Sequence, residues 1–181
     1  MLCLTLMLHA CINDVKEVDK IANGNLDATK DIGVEINLVY SDSGRILVRV
    51  VSPILERYNG VYGKDVFPKG IKITFLDDNE NEKAWLEADN AEKEPNKSLM
   101  IARGNVKLYN TRLDKLESSE LRWDENTKKI YTEKFVKITR PADRDTIYGI
   151  GFETDQNFST IIIKKRIQSK LSGERVQGLS N

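Results

Sequence analysis

"LESSELRWDENTKKIYTEKFVKI" (Leu116 to Ile138) lies over "LEADNAEKEPNKSLMIARGNVKL" (Leu86 to Leu108) when the chain is shifted by 30 positions. Leu86 meets Leu116, Glu87 meets Glu117, Ala88 meets Ser118 and Ala91 meets Leu121. Further on, Met100 meets Ile130, Ala102 meets Thr132, Val106 meets Val136 and Leu108 meets Ile138. A fainter third copy runs from Ile147 to Ile163 at an offset of 31, with Gly149 over Ser118 and Ile161 over Ile130. Each unit reads as strands around a polar turn, and units of this size bury a continuous core only by stacking.

The same period of two extends outside the repeat. "VEINLVY" (Val34 to Tyr40) alternates Val34, Ile36, Leu38 and Tyr40 against Glu35, Asn37 and Val39. "GRILVRVVS", "GIKITFLDD", "TIYGIGFE" and "STIIIKK" behave alike, and short alternating runs bounded by Gly, Asn, Asp and Pro are strand signals. Pro53, Pro68, Pro95 and Pro141 fall between such runs or at their ends, where a missing donor costs least. No segment carries a helical stripe of three turns. The expected fold is all-β: an elongated, twisted β-jelly roll or open β-sandwich of repeated antiparallel strands.

At 181 residues the chain makes one domain with tails. Its 28 basic and 28 acidic residues cancel, and they are interspersed, so no basic stripe speaks for nucleic acid. A hydrophobic fraction of 40% suffices for an ordinary core.

The apolar start "MLCLTLMLHAC" is shorter than the about 20 residues that a membrane span needs. Leu8-His9-Ala10-Cys11 resembles the lipobox of bacterial lipoproteins, with His9 an unusual occupant of a small-residue slot. On that reading residues 1–10 are a signal segment and Cys11 is lipidated, anchoring the chain to a membrane outside the cytoplasm. A trimmed or mis-started chain whose Cys11 is a plain thiol is the alternative. Residues 11–32, with Asn-Gly-Asn and Asp-Ala-Thr segments, read as a flexible tether. Residues 167–181 read as a loose tail.

Loss of residues 1–10 would remove Cys3 and His9, the only histidine. Neither a Ser-His or Cys-His nucleophile system nor a histidine metal site could then form. No catalytic residue, metal ligand or cofactor is expected, and nothing singles out a carboxylate pair. Gly149 and Gly151 in "YGIGFE" lack the third glycine and following helix of a nucleotide loop, and read as strand bulges. Trp85 and Trp123 read as packing at strand ends before they read as sugar platforms.

The ordered elements "EADNA", "GNVKLYN", "LRWDENTKKIYTEKFVKI" and "GIGFETDQN" resemble the LptC-like periplasmic proteins of the lipopolysaccharide export system, and most of all their lipoprotein-type members. The similarity runs from about Gly33 to Lys165, and residues 33–166 are expected to form the β-jelly-roll domain. "VYSDSGRILVRVVS" is similar to the family's first hairpin, with Gly44 at its functionally sensitive turn glycine. The resemblance implies a non-enzymatic carrier on the periplasmic face of the inner membrane. It would take lipopolysaccharide from an ATP-driven extractor in that membrane and pass it to a periplasmic bridge protein of the same fold.

The inward positions that would meet acyl chains are Ile36, Leu38, Ile46, Val48, Ile71, Ile73, Phe75, Leu86, Ala88, Met100, Val106, Leu108, Val136, Ile138, Ile150, Phe152 and Ile161. Taken singly, each reads first as a packed core residue, since burial needs no ligand to explain it. A free sheet edge at Ile161, Ile162 and Ile163 is the candidate docking strand for a partner, with Lys164, Lys165 and Arg166 set against self-pairing. A rival reading keeps the β-sandwich but makes it an envelope lipoprotein that binds carbohydrate or acts structurally around an inert core.

Overall fold

A computed structural model describes residues 30–42, 44–60 and 63–170 of the chain. Eleven strands account for it, with two single-turn 3-10 segments and no α-helix among the described residues. They are β1 (Lys30–Asp42), β2 (Arg45–Tyr58), β3 (Lys64–Phe67), β4 (Ile71–Leu76), β5 (Glu82–Ala88) and β6 (Asn90–Glu94). Then follow β7 (Leu99–Asn110), β8 (Lys115–Asp124), β9 (Lys129–Arg140), β10 (Asp145–Asp155) and β11 (Ile162–Lys170). All pairings are antiparallel.

The sheet is a meander in which β3 and β4 share one lane and β5 and β6 the next. β2 pairs with β4 through Val48–Val51 and with β3 through Glu56–Tyr58. β7 pairs with β6 through Leu99–Arg103 and with β5 through Lys107–Asn110. The 30-residue repeat is therefore a hairpin: β5, β6 and β7 form one copy, β8 and β9 the next, and β10 with β11 the third.

Every lane is disturbed near its middle. Glu35 has a φ of 53°, opposite Pro53 in the neighbouring strand. Pro68 to Gly70, with a φ of 96° at the glycine, separates β3 from β4, and Asp89 separates β5 from β6. The register slips between Arg103 and Val106, between Ser118 and Arg122, and between Ile150 and Phe152. Bulges bend a sheet and leave backbone groups without ladder partners. Side chains meet that need here: the Ser52 hydroxyl donates to the Gly70 carbonyl oxygen at 2.7 Å. Ser118 Oγ donates to the Phe135 carbonyl at 2.9 Å.

These defects line up as a crease on which the sheet folds double. Phe75 in β4 is level with Asn110 through the pairs Phe75–Ala84 and Ala84–Asn110, and the turn then brings Asp114 opposite Asn110. Trp123 is about nine residues further along β8, so a flat sheet would hold the two rings roughly 30 Å apart. Their centroids are 5.3 Å apart, edge to face. The halves of the strands are thus two facing layers around one apolar interior. This is an all-β, jelly-roll-like sandwich.

Several sequence expectations shift. Pro53 sits inside β2 at the crease, not between strands, where the fold already interrupts the ladder. β1 begins at Lys30, so three residues assigned to the tether lie in the sheet, and β11 runs to Lys170, four residues into the expected tail. Val34 does not share the inner face of Ile36, Leu38 and Tyr40: it is exposed, because Glu35 resets the alternation. The expected signal segment at residues 1–10, Cys11, and residues 171–181 lie outside the described residues.

Gly104 at the crease has a φ of 76°, and a Cβ there would stand 2.7 Å from Asp89 Oδ2. Gly104→Ala is expected to destabilise the fold by about 1–3 kcal/mol, from strained backbone plus displacement of Asp89. Urea unfolding checks this as a lower midpoint at unchanged slope.

Candidate functional site

The inner face is built by alternation on either side of the crease. Val48, Ile71, Ile73, Phe75, Leu86, Met100, Val106, Leu108, Val136, Ile138 and Phe152 are buried in the core. Ile36, Leu38, Ala88 and Ile161 are half-buried and pack against it. Ile46 is half-buried near the β1–β2 turn and lies outside this cluster. Ile150 is misplaced by the sequence reading: it is 41% exposed on the outer face, opposite Phe135. Asp145, Ile147 and Gly149 point inward, then Gly151 at a φ of 75° adds a bulge, and Phe152 and Thr154 take the inward positions.

Sequence reasoning missed Val50, Phe67, Leu116, Leu121 and Ile130, all of them buried in the interior. Leu116, Leu121 and Ile130 were present in the repeat alignment itself. Phe158 was missed for a different reason. It lies in the β10–β11 turn, where no alternation could point to it, yet it is fully buried.

The interior is continuous but shut. Ile73, Phe75, Leu108, Val136, Ile138 and Phe152 have no exposed surface. Opposite the crease lies the mouth, where the free ends of the layers meet through side chains. The Trp123 ring touches Phe75 and stands 6.3 Å from Tyr40, both edge to face. Phe158, held at a φ of 52°, tucks against Phe152, and its carbonyl accepts a 3.0 Å hydrogen bond from Asn110 Nδ2 of the other layer. Asp155 shapes that turn by accepting from the backbone N–H groups of Asn157, Ser159 and Thr160. The Trp123 indole N–H and Asn157 Oδ1 are buried without a partner.

Small cavities line this seam. One of about 170 Å³ lies between Tyr40, Leu47, Val48 and Trp123. Another of about 190 Å³ lies beside Asn110 and Phe158. A third, of about 450 Å³, opens at the β1 end among Tyr40, Arg57, Tyr58, Lys64, Asp65 and Lys93. Burial alone would lower the Lys93 ammonium's pKa. Hydrogen bonds that the ammonium donates to Glu125 and Tyr40 outweigh it and raise the value, so Lys93 stays charged.

Among the described residues two strands have a neighbour on one side only: β1 pairs with β2, and β11 with β10. At the start of β11, Ile163 and the preceding Ile161 pack against the core while Ile162 is exposed, so apolar side chains stand on both faces of that edge. Lys164 is ion-paired with Glu133. Gly44 occupies the β1–β2 turn with a φ of 81°. Trp123 is an interior residue, and Trp85 stacks on Tyr109 while donating to Glu82. Among the described residues no group of three or more His, Cys, Asp or Glu could hold a metal ion, and no helix is long and apolar enough to cross a membrane.

The sequence matches the family described as lipopolysaccharide-assembly, LptC-related, over residues 2–171. No curated protein matches it. With almost the whole length matched, the chain belongs to the LptC-related family of lipopolysaccharide-assembly proteins, and its role is in lipopolysaccharide transport.

Proposed function

We propose that the interior between the two layers takes up the acyl chains of lipopolysaccharide while the sugars stay outside the mouth. The chain receives the lipid from an ABC extractor of the inner membrane and passes it to a periplasmic bridge protein of like fold. Residues Ile161 to Ile163 of the β11 edge are the docking strand toward that partner, by pairing of backbone edges. Lipidated Cys11 anchors the chain to the periplasmic face of the inner membrane.

One observation supports this reading above the others: the mouth is closed by side chains, not by a backbone ladder. Parting it separates Tyr40 and Phe75 from Trp123, Tyr40 from the Lys93 ammonium, and Phe158 from Asn110, but breaks none of the strand pairings. The crease already carries the bulges on which the layers would swing. Acyl chains would then cover the apolar surface that the parted layers expose. Full burial of a 14-carbon chain is worth on the order of 11 kcal/mol, so the cost of separating the layers also keeps the complex weak enough for release.

Photocrosslinking groups at Ile73, Val106 and Leu108 are expected to capture lipopolysaccharide in living cells. The same groups at Phe135 and Ile150, on the outer face, are expected to capture none. Absence of adducts at all three inward positions, or equal capture on both faces, would exclude the interior as the lipid site.

A further inference from the structure

The largest of the three cavities described at the mouth differs in character from the greasy interior behind it. Three cations reach it. Arg57 is clamped to Asp65 through two hydrogen bonds of 2.8 and 2.9 Å made by Nε and one terminal nitrogen, which leaves its other terminal nitrogen outside that clamp. Lys64 pairs with Glu92 at 2.6 Å across a partly exposed surface. Lys93 is nearly buried, its ammonium 4.1 Å over the Tyr40 ring and 2.6 Å from Glu125. Tyr58 supplies a second aromatic face, with the Lys64 ammonium 6.0 Å from its centroid.

Tyr40 lines both this cavity and the smaller one at the seam, where Leu47, Val48 and Trp123 stand beside Ser41 and Lys128. It is the wall between a polar chamber on the outside and the route inward. A ligand seated across that wall would have an anionic head and an apolar tail.

Resting on the reading of the interior as an acyl-chain site, we infer that this cavity seats a phosphate-bearing head group of the transported glycolipid, with Lys64, Lys93 and Arg57 as its donors. A phosphate monoester carries more charge than a carboxylate and makes shorter, stronger hydrogen bonds to ammonium and guanidinium groups. The Lys64–Glu92 pair is solvent-screened and easily exchanged. Arg57 stays on buried Asp65 and uses its remaining N–H groups, and Lys93 has further ammonium protons beyond the one facing Glu125. Aromatic walls suit the apolar faces of the attached sugar.

The test uses the purified full chain with three probes: bisphosphorylated lipid A in detergent micelles, the same lipid stripped of phosphate, and inorganic phosphate. Removing the phosphates is expected to weaken binding about tenfold. Lys64→Gln and Lys93→Gln should each show a several-fold loss toward the phosphorylated lipid and none toward the stripped one, while Lys93→Arg keeps wild-type affinity. Lys64→Gln lies on the surface and decides the matter if Lys93→Gln does not fold. Equal affinity of the wild type for both lipids overturns the head-group seat and leaves the acyl-chain reading standing. Displacement of lipid A by millimolar phosphate would assign the cavity to a free anion and overturn it also. Failure of both lipids to bind overturns both readings.

Discussion

Trp123→Ala is expected to lower the unfolding free energy by about 3–5 kcal/mol, the largest loss of any single substitution foreseen for this chain. Trp123 is 4% exposed and stands where the two layers meet. Its ring is met edge to face by Phe75 from the opposite layer, with Tyr40 beside it. Truncation would leave a cavity spanning both layers, which neither can fill without moving the other, and would forfeit aromatic pairing worth about 0.5–1.5 kcal/mol beyond its area. Because the indole N–H has no partner, the loss would be one of packing alone. Trp85→Ala is the control: that ring lies on the outer face against Tyr109 and should cost only about 1 kcal/mol. Urea unfolding reads both. A loss below about 1 kcal/mol for Trp123→Ala would mean that the layers do not depend on this contact to close.

Covalent closure of the mouth is expected to abolish lipid loading altogether. Ser41 and Lys128 are exposed and line the same cavity from the two layers. Changing both to cysteine, with Cys3 and Cys11 changed to serine, allows a thiol linker with a cleavable centre to staple the seam. Stapled protein should fail to take up lipopolysaccharide, and cleavage of the linker should restore uptake in the same sample. Restoration separates blocked opening from damage to the fold. Undiminished loading while stapled would show that the lipid does not enter between the layers.

The strands were legible because alternation is written into side-chain chemistry one residue at a time. "VEINLVY", "GIKITFLDD" and "KIYTEKFVKI" each became a strand, and the 30-residue offset proved to be one hairpin of the meander. Gly149 and Gly151 were legible as bulges, since no helix or third glycine competed for them. Ile150 shows where alternation fails as a guide. It has the same parity as Phe152, but a single left-handed residue between them sends the two to opposite faces. Val34 fails in the same way across Glu35. A β pattern carries face assignments only up to the next bulge.

Phe158 and Asn110 lie beyond any local pattern. Each sits at a strand end or turn, where polarity and glycine content say only that the chain reverses. Their meeting, with Asn110 Nδ2 on the Phe158 carbonyl, depends on two turns of opposite layers arriving at one place. The cationic cavity is similar: Arg57, Lys64 and Lys93 are scattered among 28 basic residues and read as solvated surface until three lanes of sheet bring them together.

By itself, then, the order of residues determined an antiparallel β chain, its hairpin repeat and an apolar face, because each of these follows from interactions within a strand or between adjacent strands. Only the tertiary structure decided that the sheet doubles over, where the mouth lies and which side chains hold it shut. Folding at the crease juxtaposes residues from non-adjacent strands, and no periodicity along the chain encodes a distance across that gap.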